Sequence, residues 1–431
     1  MGKFKHRPFW WDDADLEEQR LAQNPDGLPE KTEVLVVGAG YSGLSAAMTL
    51  ARGGRQVVVI DAEMPGYGCS ARNGGLIGPS FHKLGLAGLT AAYGEQKANA
   101  ILRESMDSLV FLKDLIEREG IDCGLRPEGR FRGAMRPKAY DALLREAESL
   151  HKSVGLRFTP VPKSEQHREI GSDYYHGGVV FPDDGHLQPA KLAIGLCNRA
   201  REAGAGVFAP ARLTGLQRDG DGFAARIGDR QLRARQVLIA TNGYTGPELG
   251  FFRRRLVPLR SAIIATNELD PDVITDLSPR GRGFGDSSRL VIYYRPSPDG
   301  KRLIFGGRAF DLADRPDNYV ADLTRLMTRI FPQLSGVNIT HAWSGTVAYT
   351  FDHAPHVGEH DGIHYAMGYC GSGVGRANYF GNKVALKMLG SKDGKTALDG
   401  LDFRSHPLYT GTPWFIPVVL RWHSLADRLG I

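Results

Sequence analysis

The hydrophobic pattern changes period several times along the chain. Val34 to Val37 form an unbroken apolar and mostly β-branched run, which predicts a strand buried on both faces. Small residues follow, then Leu44 to Arg52 at helical spacing, then a second apolar run from Gln56 to Ile60. Ala98, Ile101, Leu102, Leu109, Leu112, Leu115 and Ile116 recur with helical period within 95–119, and Lys138 to Ser153 predicts another helix. Between them, Cys123 to Met135 reads as strand, turn and strand around Glu128-Gly129.

After Val179 to Phe181, a helix is expected over Pro189 to Ala203 and a strand at Gly206 to Ala209. Short strands are expected at Arg212 to Gln217, Phe223 to Ile227 and Gln231 to Ala234, and a buried strand within Gln236 to Tyr244. Residues 256–350 are strand-rich, at Leu290 to Arg295, Arg302 to Gly307 and His341 to Tyr349, with a helix from Ala321 to Phe331. Gly362 to Tyr369 is a further strand, and Gly371 to Leu389 opens and completes a helix. The β-α alternation at both ends and in the middle predicts two interleaved domains. One is a doubly wound domain from 32–80, 181–250 and 351–392; the other, from 81–180 and 251–350, is α+β on an antiparallel sheet. Residues 1–31 are expected as an arm over the surface, with Phe9-Trp10-Trp11 buried against something, and 393–431 as a tail. Within that tail, Trp414 to Trp422 is expected as a closing helix packed on the core, with a partner contact as the alternative.

The turn after the first strand carries chemistry. Gly38, Gly40 and Gly43 give G-x-G-x-x-G between strand and helix, and Asp61 ends the second strand eighteen residues after the third glycine. The glycines permit a tight turn, approach of a diphosphate, and close helix packing, while an acid at that point binds a ribose hydroxyl. Strand, turn, helix and acid together predict a dinucleotide site. Gly66 to Gly78 holds five glycines in thirteen residues, with Ser70, Arg72 and Asn73 as donors, and is expected to approach a flat ligand.

Composition narrows the remaining choices. The chain has 431 residues, 42% hydrophobic, enough for two domains. Its 54 Lys and Arg exceed its 48 Asp and Glu by only six, and Arg253-Arg254-Arg255 is too short a basic run to predict nucleic-acid binding. No stretch reaches the roughly twenty apolar residues of a membrane span. The four cysteines form no C-x-x-C pair, which argues against a disulfide scaffold, a zinc site or a dithiol centre, and no metal is expected at His353 or His356. A cytoplasmic enzyme is the expectation.

Four motifs in order carry a resemblance: Gly38 to Ala47, Gly68 to Gly75, Ala240 to Tyr244 and Gly368 to Val374. They resemble the FAD-dependent D-amino acid oxidase and sarcosine oxidase superfamily, and within it the gamma-glutamylputrescine oxidase-like proteins. The resemblance implies a glutathione reductase-like FAD domain. It sets Gly38, Gly40, Tyr41, Ser42 and Gly43 on the diphosphate, and Asp61 and Ala62 on the adenosine ribose. Ser70, Ala71, Arg72, Asn73, Gly74, Gly75 and Leu76 would run under the flavin and its ribityl chain. Arg212 and Leu213 would pass the adenine edge, and Thr241, Asn242 and Gly243 the adenosine side. Gly371, Ser372, Gly373 and Val374 would meet the flavin pyrimidine.

Three departures from the sarcosine oxidase branch shape the functional expectation. Val347 stands where that branch carries its flavin-linking cysteine, so non-covalent FAD is expected. Gly375 stands at its carboxylate-binding lysine, which favours an amine over an α-amino acid. Its oxygen-activating lysine falls near Ile304, with Lys301 nearest, so dioxygen and another electron acceptor both stay open. The expected reaction is oxidation of a C–N bond in a small amine, by hydride transfer to the flavin and hydrolysis of the imine. Arg308, Tyr294, Tyr349 and His353 are the candidate catalytic residues, with Tyr293 beside them. The alternatives are an amino-acid or N-methyl amino-acid dehydrogenase or oxidase, and a flavin-bound subunit of a heteromeric complex. A homo-oligomer is possible.

Overall fold

A computed structural model describes residues 4–16, 21–308 and 314–429. Two eight-stranded sheets organise them. In the first, the order runs His356–His360, Ile363–Met367, Arg230–Ile239, Lys31–Val37, Val57–Ile60 and Gly206–Phe208. Every neighbouring pair is parallel except the outermost, where His356–His360 runs antiparallel to Ile363–Met367. Val36 sits between Leu238 and Val59, so the β-branched run lies at the centre of a sheet covered on both faces. Two antiparallel strands, Leu213–Asp219 and Gly222–Ile227, extend this sheet beside the first half of Arg230–Ile239.

The second sheet runs Ile339–Tyr349, Val257–Thr266, Leu303–Arg308, Tyr293–Pro296, Gly283–Asp286, Arg130–Gly133, Gly178–Phe181 and Thr159–Val161. It is antiparallel save for the pairing of Gly283–Asp286 with Arg130–Gly133. Helices Tyr41–Arg52, Glu95–Arg118, Pro189–Glu202 and Gly373–Met388 bury their apolar faces in the largest core cluster. A second cluster, around Phe131, Phe284, Tyr294 and Phe305, fills the far side of the second sheet under helix Pro316–Ile330.

Several elements depart from the expected pattern for local reasons. Pro316 occupies the first helical turn, where its missing N–H costs nothing, so that helix begins five residues before Ala321. The two strands expected from Gln231 and Gln236 are one, Arg230–Ile239, whose first half pairs with Gly222–Ile227 and whose second half pairs with Ile363–Met367. Only Arg130–Gly133 forms a strand within 123–135, since Arg126 instead makes an isolated bridge to His186.

The N-terminal arm is built into the fold. Lys5 bridges to His341 at the edge of the second sheet, with Lys5 N–H donating to the Thr340 carbonyl at 2.8 Å. A short helix, Phe9–Asp13, then buries Phe9, Trp10 and Trp11, Trp10 completely. The C-terminal helix Ile416–Leu429 packs Ile416 and Leu420 against Val257, Leu259 and Tyr409, and leaves Val418, Trp422 and Leu425 exposed.

Helices Tyr41–Arg52 and Gly373–Met388 approach closely enough that a Cβ on Gly381 would lie 2.3 Å from the Ser42 carbonyl oxygen. Ser45 Oγ donates across the same crossing to the Asn378 carbonyl at 2.7 Å. Backbone cannot yield as a flexible side chain can, so Gly381→Ala is expected to lower stability by about 1–3 kcal/mol. Urea unfolding of the variant checks this; a midpoint equal to that of the parent protein would show the helices free to separate.

Candidate cofactor and active site

One cavity of about 450 Å³ opens where the parallel strands end and the second sheet begins. Ligands of doubly wound sheets sit at such carboxyl ends. Gly38 has φ +109°, and a Cβ there would lie 2.9 Å from the Ala240 carbonyl oxygen, so only glycine allows the turn. Gly40 precedes helix Tyr41–Arg52, and its Cβ would lie 3.0 Å from Ser70 Oγ. Gly43 is outside the cavity wall; its Cβ would overlap the Gly38 carbonyl, which makes its role the close packing of helix on strand. Asp61 lines the cavity and also braces the turn, accepting from Ala39 N–H at 2.6 Å and Glu63 N–H at 3.0 Å. Burial raises its pKa to about 6, against the pull of those two donors.

The loop from Gly66 to Gly78 forms one wall, and its shape is set from behind. Trp11 Nε1 donates to the Ala71 carbonyl at 3.2 Å, Trp343 Nε1 to Arg72 at 2.9 Å, and Trp10 Nε1 to Asn73 at 2.8 Å. Arg295 Nε donates to the Gly74 carbonyl at 3.0 Å, and Leu187 N–H to Gly75 at 2.8 Å. Five consecutive carbonyls are therefore turned to the protein interior. In a trans peptide the next N–H points the opposite way. Among the described residues the Gly74 N–H has no acceptor, and Gly74 lines the cavity.

The side chains expected to offer donors from this loop, Ser70, Arg72 and Asn73, line the cavity and also shape the loop. Asn73 Nδ2 donates to the Cys69 and Ser70 carbonyls, and its Oδ1 accepts from Gly75 N–H. Arg72 lies between the Trp11 and Tyr67 rings, at 4.6 and 4.5 Å, and donates to the Tyr67 and Ser344 carbonyls. Ser70 Oγ accepts from Tyr41 N–H at 3.0 Å. Ala71 is fully buried behind the wall.

Tyr41, Ser42, Ala62, Leu76, Gly75, Arg212, Leu213, Thr241 and Asn242 line the cavity, as do Gly371, Ser372, Gly373 and Val374 at the start of helix Gly373–Met388. Asn242 (φ 45°) turns its Oδ1 to Gly368 N–H at 2.9 Å, which ties the third motif to the fourth. Gly243 is not in the wall; a Cβ there would lie 2.7 Å from the Thr346 carbonyl oxygen, at the contact with the second sheet.

The second sheet closes the cavity with Ser261, Tyr293, Gly345 and Val347, joined by Val291 just before strand Tyr293–Pro296. The Tyr293 ring covers Gly74, where a Cβ would come within 2.7 Å of it. Its hydroxyl meets Ser261 Oγ at 2.9 Å, and that serine donates to the Gly307 carbonyl, so the tyrosine is the donor of the pair.

The catalytic candidates fare differently. Tyr294 is one residue along the strand and faces the opposite side of the sheet, where Phe284 and Phe305 stack on it and its hydroxyl donates to Tyr175 at 2.9 Å. It belongs to the second core and not to the cavity. Tyr349 and His353 also lie outside the wall; Tyr349 takes Lys83 over its ring at 4.7 Å, and His353 packs edge-on against it. Arg308 pairs by its backbone with Ser261, and its side chain lies outside the described residues.

The residues present fit a flavin dinucleotide. A glycine cradle faces the cavity at Gly38 and Gly40, a ribose-type acid stands at Asp61, and a wall carries an unused backbone donor at Gly74. A parallel sheet with this fingerprint, facing a largely antiparallel second sheet across the cavity, is the architecture of a dinucleotide-dependent oxidoreductase. Residues 33–385 match the model of the DAO family of FAD-dependent oxidoreductases, and the chain belongs to that family. The chain is 31% identical to the probable oxidoreductase OrdL of Rhizobium meliloti (strain 1021), over 97% of both chains. It is also 31% identical to the gamma-glutamylputrescine oxidoreductase of Escherichia coli (strain K12), over 93% of both. Among solved structures, L-proline dehydrogenase from P. horikoshii shares the fold with a TM-score of 0.71 and 21% identity, over 90% of this chain and 98% of that one. No helix among the described residues is long and apolar enough to cross a membrane.

The glycine geometry makes the cofactor site testable. Gly40→Val would drive a branched side chain against Ser70 and the helix N-terminus, and is expected to abolish FAD binding while the fold persists. Flavin absorbance of the purified variant and its circular dichroism check both parts; full flavin occupancy would show this turn to be elsewhere than on the diphosphate.

Proposed function

We propose that the protein oxidises the C–N bond of a small amine lacking an α-carboxylate, using FAD held without a covalent link. The observation that carries the substrate reading is the make-up of the wall. Gly375 lines the cavity where the resembled sarcosine oxidases bind a carboxylate with lysine, and no lysine lines it among the described residues. The near full-length likeness to a gamma-glutamylputrescine oxidoreductase supports the same direction.

FAD, when bound, supplies the two-electron acceptor for the hydride that leaves the carbon beside nitrogen. The chain supplies position and exclusion of water. The Tyr293 ring, fixed by Ser261, and the apolar Val291 and Val347 close the substrate side. Helix Gly373–Met388 aims its N-terminal dipole into the cavity, where it favours negative charge.

Two outcomes are expected. First, acid precipitation should release intact FAD into the supernatant. Val347 cannot form a thioether, and Cys69, the one cysteine in the wall, turns its Sγ to the Thr346 carbonyl at 2.9 Å. Flavin retained by the precipitated chain would point to Cys69 as a link and overturn the non-covalent reading.

Second, gamma-glutamylated or simple alkyl amines should reduce the flavin faster than sarcosine or D-alanine in anaerobic stopped flow. A buried carboxylate without its ionic partner costs about 2–5 kcal/mol, so the preference should be large. The hydride can leave only from the neutral amine. A substrate amine with pKa about 10 is protonated below that value, so kcat/KM should rise with pH and level off above it. Sarcosine or a D-amino acid as the fastest reductant would overturn the amine reading in favour of an amino-acid oxidase.

A further inference from the structure

Arg295 is one of the most completely buried side chains of the molecule, at 1% exposure, and it sits one residue layer behind the cavity wall. Nε donates to the Gly74 carbonyl and Nη2 to the Leu187 carbonyl at 2.8 Å, while Nη1 donates to His186 Nδ1. A Cβ on Gly75 would lie 3.0 Å from Nη2, so the charge is in contact with the wall's backbone. His186 Nε2 in turn donates to the Gly281 carbonyl at 2.9 Å, which fixes that ring as the neutral tautomer.

All the acceptors around Arg295 are neutral, and it forms no ion pair among the described residues. Asp13 acts on it only through space, and that carboxylate already takes Gln188 Nε2 at 2.9 Å and Lys191. The Trp10 ring covers the guanidinium at 4.9 Å, and the N-terminal arm seals it from water. Buried charges are normally paired, because an uncompensated one costs several kcal/mol. A cation kept dry and unpaired against the wall of a redox cavity calls for an anion on the other side of that wall. Two-electron reduction of a flavin with uptake of one proton leaves its ring with one negative charge.

We propose that Arg295, roofed by Trp10, is a positioning residue of the cofactor site, which holds the loop 71–75 from behind and favours the reduced, anionic flavin over the oxidised one. The inference rests on the family's cofactor and is independent of which amine is the substrate. By linkage, a residue that merely shapes the loop stabilises oxidised and reduced FAD alike and leaves the reduction potential unchanged. A charge that distinguishes the two forms moves it.

The test is the potential of the FAD-loaded full chain, measured by enzymatic or dithionite reduction against a reference dye with no amine present. In R295Q the reduction equilibrium should shift about tenfold toward the oxidised form, about 30 mV lower for two electrons. R295K keeps the charge and should stay within about threefold of the parent protein. W10L wets the guanidinium, and should lower the equilibrium in the same direction by about threefold, which keeps the inference testable if R295Q does not accumulate with FAD. An unchanged potential in R295Q, even with weakened FAD binding, would overturn the inference, as would an unchanged potential in W10L.

Discussion

The anchoring of five successive carbonyls, Ala71 to Gly75, into the protein interior and away from the cavity is the constraint on which the site depends. Each bond from an indole to a backbone oxygen nets only about 1 kcal/mol, so the indole anchors matter less as energy than as exclusion. A buried indole N–H without an acceptor costs about 1–3 kcal/mol, and three of them face this loop. Any conformation that moved a carbonyl toward the cavity would strand at least one donor. The loop is thereby held with its unused N–H on the cavity side, and the glycines at 74 and 75 let the Tyr293 ring and Arg295 close on it from two directions.

This arrangement links three distant parts of the sequence to one wall. The arm contributes Trp10 and Trp11, the second sheet contributes Trp343 and Arg295, and the turn before helix Pro189–Glu202 contributes Leu187. The arm is itself stitched to the second sheet at Lys5 and Thr340, and Gln188 Nε2 holds the Trp10 carbonyl at 2.9 Å. The parallel sheet and the antiparallel sheet therefore meet through the loop that forms this cavity wall. The N-terminal residues, which the hydrophobic pattern alone shows as a polar arm with an aromatic knot, are a structural part of the site.

The sequence was most legible where local physics decides the outcome. The strand at Val34 to Val37 is read from residue type and spacing and lies at the centre of the parallel sheet; Gly38, Gly40 and Asp61 line the cavity at its end, while Gly43 packs helix on strand behind it. The functional face of the second sheet was harder to read, because parity along a strand decides it. Tyr293 and Tyr294 are chemically identical, and only the pairing of Tyr294 with Phe305 and Phe284 sends one to the core and leaves the other at the cavity. Tyr349 lies only two residues beyond Val347, yet it is drawn out of the wall toward Lys83 and the C-terminal helix. The donors Ser70, Arg72 and Asn73 were visible, but nothing local shows that Asn73 bonds back to its own loop, that Arg72 also reaches Ser344, or that Ser70 takes the Tyr41 N–H. The tryptophans carried a usable signal: a buried indole needs an acceptor, and a glycine-rich loop has carbonyls to give.

The claim that the protein pre-forms this wall is tested most directly by hydrogen–deuterium exchange of the segment spanning residues 68–77, with and without FAD. The account predicts slow exchange already in the apoprotein, because the anchors are internal to the chain, and slower exchange still when FAD covers the Gly74 N–H. Exchange in the apoprotein as fast as in an unstructured peptide would contradict it, since the loop would then take its shape from the cofactor and not from the tryptophans and Arg295.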